Sequence, residues 1–231
     1  RITSLTVPLA SDGGVEKLSG VASVLVEDAE LWWTHDLGGQ PRYQVTIRLR
    51  EGEQILDERR DLVGLRTITL DRSEDPEGGR HFRFILNGVP IFARGAAWLP
   101  ADMFVGSVSE ARYRDLLATA REGHMTMLRI CGGGIYDHDT FYSLCDELGL
   151  LVWQDFAFAC IDYPDDDPRL RTEVQKEAAH QVRRLRNHAC MAVWCGNNEV
   201  QMIHVMGYRA VSPAGWGSAF FDEVLPTAVA K

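Results

Sequence analysis

Four segments of this chain carry polar and aromatic residues at the end of an apolar run. They read Ala97-Trp98-Leu99-Pro100-Ala101-Asp102, Arg129-Ile130-Cys131-Gly132-Gly133-Gly134, Trp153-Gln154-Asp155 and Gly196-Asn197-Asn198-Glu199. Carboxyls, amides and a guanidinium beside Trp98, Trp153 and Trp194 suit a sugar ring, which offers C–H faces and a rim of hydroxyls. Glu199 is the sharpest of these residues. A carboxyl directly after the apolar stretch Met191–Cys195, with amides at 197 and 198 to donate hydrogen bonds, is equipped to protonate a leaving oxygen. A single Trp is more often core than platform, and a strand-end Glu is structural about as often as catalytic. It is the set of four ends that points to a site.

Competing chemistries have weaker footing. Gly132-Gly133-Gly134 lacks the following G-K-[ST] of a phosphate loop, and no G-x-G-x-x-G is present. Asp165-Asp166-Asp167 lacks the glycine and terminal glutamate of a calcium loop and reads as a solvated turn with a helix cap. His180 and His188 have no H-E-x-x-H spacing, no C-x-x-C occurs, and no G-x-S-x-G elbow supports a serine nucleophile. The Arg183, Arg184 and Arg186 cluster reads as a solvated helix face. Neither a cofactor nor a metal is expected.

The elements that must position these ends change character along the chain. Up to about residue 80 the pattern is that of strands. Tyr43, Val45, Ile47 and Leu49 alternate with polar residues, the period expected of a half-buried antiparallel strand. Weaker strand candidates are 22–26, 54–59 and 65–70. This reads as part of a β-sandwich with fewer than the usual strands. Residues 82–94 form a predicted hairpin around Asn87-Gly88, the pair a two-residue type I′ turn requires. Ser109 then caps a predicted helix through Tyr113, Leu116, Leu117 and Ala120 to Gly123. Asp139 caps a second with Phe141, Leu144, Cys145 and Leu148, stopped at Gly149. Asp167-Pro168 opens a third, with Leu170, Val174, Ala178, Val182 and Leu185 on one stripe. The runs 125–130, 150–153 and Met191–Cys195 read as buried strands, and 219–229 as a last helix. Strand and helix thus alternate four times from residue 91, which dictates a parallel sheet covered by helices. An open doubly wound sheet and a segment of a (β/α)8 barrel both satisfy that rhythm.

Composition narrows the partners. Thirty-three acids against 24 Lys and Arg give a net charge of −9, which disfavours nucleic acid. No run of eighteen apolar residues exists for a membrane span. The five cysteines, 131, 145, 160, 190 and 195, read as reduced core thiols, and the expected compartment is cytoplasmic. At 231 residues the chain cannot hold a whole barrel of about 250 residues beside anything else.

At the strand ends the sequence resembles the β-mannosidases of glycoside hydrolase family 2. The stretches carrying the likeness are FARGAAWLPAD (92–102), LRICGGGIY (128–136), FYSLCDELG (141–149), VWQDF (152–156), Tyr163-Pro164 and WCGNNE (194–199), with Glu30-Leu31-Trp32-Trp33 and Gly64-Leu65-Arg66 upstream. The resemblance implies a partial immunoglobulin-like sandwich over 1–80 and the first four β/α units of a TIM (β/α)8 barrel over 81–231. It places the acid/base glutamate on Glu199 and substrate-binding or supporting roles on Asn198, Arg129, Trp153, Asp155, Cys131 and Asp102. It implies a retaining glycoside hydrolase that removes terminal β-linked mannose. The family has Asn where Ala97 and Thr126 stand and Trp where Cys131 stands. It also draws its nucleophile from a glutamate on a later strand, and after Glu199 the only acids are Asp222 and Glu223, in a helical segment. The expectation is therefore a fragment, inactive alone, that takes a carbohydrate substrate in its parent enzyme. Its half-barrel edges would self-associate or pair with the missing half. The rival readings are a β-galactosidase- or β-glucuronidase-type exo-glycosidase and a non-catalytic carbohydrate-binding remnant.

Overall fold

The computed structural model describes residues 10–11, 18–19, 22–207 and 215–230. Two compact units divide the chain, Arg1–Glu30 and Leu31–Lys231. In the first, β1 (Ala10–Ser11) pairs antiparallel with β2 (Leu18–Ser19). Residues 22–26, expected as a strand, are irregular and exposed. An isolated extended segment gains nothing without a partner ladder.

The second unit begins with β3 (Tyr43–Glu51) and β4 (Gln54–Val63), an antiparallel ribbon turned at Gly52 (φ +57°). The alternation on β3 is as read, but the expected half-burial is not. Val45, Ile47 and Leu49 remain 41%, 60% and 42% exposed. Both strands are exposed along most of their length, so neither face of the ribbon is covered. A three-stranded antiparallel meander follows, β5 (Ile68–Asp71), β6 (Arg83–Leu86) and β7 (Val89–Ile91). Asn87 and Gly88 both take positive φ in the β6–β7 turn, as the type I′ reading requires.

Beyond it lies a four-stranded parallel sheet in the order β11-β10-β9-β8: β8 (Gly95–Trp98), β9 (Met127–Ile130), β10 (Leu151–Asp155) and β11 (Met191–Cys195). Each strand lies beside its sequence neighbour, the order right-handed β/α crossovers produce when they advance in one direction. The connections are α1 (Glu110–Glu122), α2 (Asp139–Leu148) and α3 (Pro168–Leu185). Ser109 caps α1 by accepting from Arg112 N, and Asp167 caps α3 by accepting from Arg169 N and Leu170 N. The α2 cap is one residue earlier than read: His138 Nδ1 accepts from Thr140 N, while Asp139 in the first turn pairs with Arg184 at 2.6 Å. After β11 come α4 (Val200–Val205), a single turn of π-helix (Phe220–Val224) and α5 (Leu225–Val229).

Alternation sorts the strand residues into two faces. Leu128, Ile130 and Val152 pack outward on Tyr113, Leu117, Phe141, Leu144 and Cys145 of α1 and α2. Val174, Ala178 and Val182 of α3 pack on Phe156, Phe158 and Phe220. Met127 and Leu151 face the other way, onto Trp32, Phe84, Leu86 and Ala189. That inner layer closes the N-terminal end of the sheet. Trp32 is fully buried and its indole N–H donates to Asp146 O at 2.7 Å. Arg66 donates to the backbone oxygens of Ala189 and Met191 at the start of β11. Asp146 is itself held by Cys190 N at 2.8 Å and His188 Nδ1 at 2.7 Å. The stretches around Trp32 and Arg66 are thereby fastened under the parallel sheet.

Close backbone approach fixes β8 against β9. A Cβ at Gly95 would lie 1.6 Å from Met127 O. Gly95→Ala is expected to destabilise the protein by about 3 kcal/mol or more, whereas Gly106→Ala, facing open space, stays within about 0.5 kcal/mol. Urea unfolding followed by tryptophan fluorescence checks both.

Candidate active site

The C-terminal ends of β9, β10 and β11 converge on one polar cluster. Arg129 projects from the inner face of β9 and meets Asp155 at the end of β10 in a two-point pair, Nε to Oδ1 at 3.1 Å and Nη2 to Oδ2 at 2.7 Å. The Asp155 carboxyl is fully buried. It also accepts from Gly132 N at 3.0 Å and from Trp153 Nε1 at 3.0 Å. Every neighbour of Asp155 donates, so the position requires an acceptor-only group, which an ionised carboxylate is. These bonds raise the Arg129 guanidinium above its ordinary value despite its partial burial. Arg129 also lies over the Trp153 ring, 5.7 Å from its centroid. Phe82 and Phe84 of the meander flank the same ring at 5.9 and 6.5 Å.

The pair reaches β11 through Asn198, whose Oδ1 accepts from Arg129 Nη2 at 3.2 Å. Asn198 is pinned on its backbone as well, donating to Phe158 O at 2.9 Å and accepting from Cys160 N at 3.0 Å in a parallel bridge with Ala159. Glu199 follows, with its side chain exposed and its backbone in the left-handed region (φ +60°). Asn197 Oδ1 accepts from Val200 N at 3.0 Å and starts α4 immediately after the turn. Five residues later His204 donates through Nδ1 to the buried Asp162 at 3.0 Å, tying α4 to the loop that carries Cys160.

The residues singled out from sequence divide accordingly. Arg129, Trp153, Asp155 and Asn198 are brought together, and Glu199 is joined to them through the chain. Cys131 stands two residues after Arg129, half-buried, with its N–H directed to Trp98 O. Asp102 sits apart in the β8–α1 loop, exposed, accepting from Phe104 N at 2.9 Å. Trp98 and Trp194, read as accompanying sugar faces, point outward. Trp98 packs on Phe141 at 4.9 Å and donates to Asp137, whose carboxyl is pushed up by burial against the pull of Tyr113 and Trp98. Trp194 stacks on Phe156 at 4.9 Å. Gln154 also faces outward, accepting from Tyr142 OH at 2.7 Å.

Two participants were missed. Cys160 is half-buried against Asn198 and Glu199, with Sγ 3.8 Å from Glu199 Oε2. Gly132 is needed because a Cβ there would lie 2.2 Å from Phe158 O. The glycine run is therefore a passage for the β10–α3 loop. Its position opposite that loop, rather than any phosphate motif, was the signal to follow.

A buried polar cluster at the carboxyl ends of consecutive parallel strands, with an exposed carboxyl on the last, is an α/β arrangement whose candidate site lies where strands give way to loops. No protein-family model matches the chain. It is 35% identical over 95% of its length to β-mannosidase B of Emericella nidulans, covering 27% of that protein. It is 41% identical over 80% of its length to the β-mannosidase of Capra hircus, covering 21% of it. The crystal structure of β-D-mannosidase from Dictyoglomus thermophilum superposes with a TM-score of 0.79 at 42% identity, over 87% of this chain and 24% of that one. The chain is a homologue of the β-mannosidases, and it spans about a quarter of the length of the curated relatives it matches.

Asp155→Asn preserves shape but turns an amide NH2 toward donors. It is expected to lower stability by about 2–3 kcal/mol through unmet hydrogen bonds at a buried site. Asp102→Asn, exposed on its loop, changes stability by about 0.5 kcal/mol or less. Denaturant midpoints at constant m-value discriminate the two.

Proposed function

We propose that this chain is the front part of the catalytic region of a retaining β-mannosidase of glycoside hydrolase family 2. Glu199 is its general acid and base, and the nucleophile lies on a part of the polypeptide beyond these residues. In this reading residues 1–80 belong to an immunoglobulin-like sandwich and 81–231 supply the first four β/α units of a (β/α)8 barrel. The observation that carries it is the Arg129–Asp155–Asn198 cluster delivering an exposed Glu199 at the end of β11, in a chain whose homologues are β-mannosidases.

The chemistry follows from that placement. Asn198 is held by Arg129 through Oδ1 and shares its fixed backbone with Glu199. It is placed to hydrogen-bond a sugar hydroxyl next to the reacting carbon. Glu199 protonates the glycosidic oxygen as a second carboxylate, about 5–5.5 Å away, attacks the anomeric carbon. The same glutamate then removes a proton from the water that releases the sugar, and two inversions give net retention. Arg129, Trp153 and Asp155 support the floor of this site, and Cys131 and, from the β8–α1 loop, Asp102 are read as further substrate contacts. The substrate is a carbohydrate. Neither nucleic acid nor a membrane is a partner in this reading, and the uncovered strand edges are met by the remainder of the barrel or by a second copy. Five unpaired thiols suit a reducing compartment such as the cytoplasm.

In the full-length protein carrying this chain, Glu199→Gln is expected to lower kcat/KM for an alkyl β-mannoside by roughly 10²–10⁴-fold. NMR of the first-formed product should show the β anomer. The isolated chain should release nothing from p-nitrophenyl β-mannoside. Turnover by the isolated chain that Glu199→Gln abolishes, or an α-anomeric first product, overturns the reading.

A further inference from the structure

We infer that Cys160 is a positioning residue that decides which oxygen of Glu199 carries the proton, an inference that rests on reading Glu199 as the general acid. Hydrogen-bond polarity is set outward from the buried carboxylate. Asp155 accepts from Arg129, and a guanidinium has donors only. The Asn198 atom 3.2 Å from Arg129 Nη2 must then be the carbonyl oxygen. Its NH2 is left facing Cys160 Sγ at 3.4 Å. An amide NH2 can only donate, so the sulfur accepts at that contact.

The thiol hydrogen has two acceptors within reach, Glu199 Oε2 at 3.8 Å and Asn198 O at 3.9 Å. Asn198 O already receives the Cys160 N–H at 3.0 Å, which leaves Glu199 Oε2 as the acceptor open to the thiol hydrogen. The donor order therefore runs Arg129 to Asn198 to Cys160 to Glu199 and terminates on Oε2. With Oε2 occupied as an acceptor, the catalytic proton belongs on Oε1, the oxygen left free for the departing group.

The backbone supports a positioning role over simple filling of space. Cys160 holds a left-handed φ of +55°, a conformation glycine adopts without cost and a side chain resists. Its neighbour Ala159 is bridged to Asn198, and Asp162 two residues on is bound by His204 of α4. The loop is thus fastened on both sides of the thiol to the segment that bears Glu199.

The test compares two β-mannosides in the full-length protein carrying this chain. Methyl β-mannoside departs as an alkoxide and needs the acid, while 2,4-dinitrophenyl β-mannoside departs without one. Cys160→Ala is expected to lower kcat/KM for the methyl glycoside about five- to tenfold, part of what a general acid supplies, and to change the dinitrophenyl value by no more than about twofold. Cys160→Ser, which keeps a donor and an acceptor, should restore most of the loss. The ratio of the two substrates within one preparation does not depend on how much of a variant is folded. Equal losses on both substrates, no loss on either, or no rescue by serine overturns the inference. Glu199→Gln is measured alongside to separate the two levels. If it spares the methyl glycoside, the acid assignment itself fails. If it shows the split and Cys160→Ala does not, the failure belongs to Cys160 alone.

Discussion

Arg129 and Asp155 stand on adjacent parallel strands, and the fully buried carboxylate of one is met twice by the guanidinium of the other. Removing a carboxylate from water costs several kcal/mol, recovered only if every lone pair is used. Here all the donors needed are present, two from Arg129, one from Gly132 N and one from Trp153. They come from three separate groups, so satisfying the charge fixes geometry: the loop after β9, the Trp153 rotamer and the offset of β9 against β10. A lysine could not replace the arginine, since it lacks the planar fork that meets both oxygens. The remaining Arg129 contact, to Asn198, extends the constraint to β11. Three strand ends are thus set by one charge.

The constraint needs a rigid base, and the inner layer supplies it. Trp32, Phe84, Leu86, Met127 and Leu151 close the N-terminal end of the sheet, and Phe82 and Phe84 continue that packing up to the Trp153 ring. The aromatic stack carries Trp153 to where its indole N–H meets Asp155. Two buried polar centres therefore divide the work. Asp146, held by Trp32, His188 and Cys190, locks the N-terminal end, and Asp155 orders the C-terminal end where ligands have access. In the described residues the outer edges of β8 and β11 have no strand beside them.

Periodicity and caps made the α/β half legible because α1 and α3 obey local rules: Ser109 and Asp167 cap where their side chains reach free N–H groups. The one-residue error at α2 arose because His138 Nδ1 accepts from Thr140 N, an uncommon cap that residue type does not advertise. Facing was harder. Apolar runs with no polar alternation do not declare which residue turns inward, so Trp98 and Trp194 looked equivalent to Trp153 until the strands were paired. Asn198 and Glu199 were legible as an end of strand with unusual polarity. Cys160 was not, because its partners are distant in sequence and a half-buried thiol resembles any core cysteine. The exposed apolar side of β3 was invisible for a related reason: alternation reports a capacity for burial, and burial needs a second surface.

Glu199 and Cys160 both occupy the left-handed region, at φ +60° and +55°, and they face each other beside the Ala159–Asn198 bridge. For a residue with a Cβ that conformation costs about 1–3 kcal/mol and persists only where the surroundings over-determine it. The surroundings here are identifiable. Asn198 is bonded through both backbone groups and both ends of its side chain, and Asn197 fixes the first N–H of α4. Between two fixed points the chain has to reverse within one residue, and Glu199 is that residue. The reversal sends α4 back toward Asp162 and leaves the carboxyl exposed beyond the strand end. The strain at Glu199 is therefore the consequence of holding Asn198 on the Arg129–Asp155 pair while freeing the next side chain for a ligand.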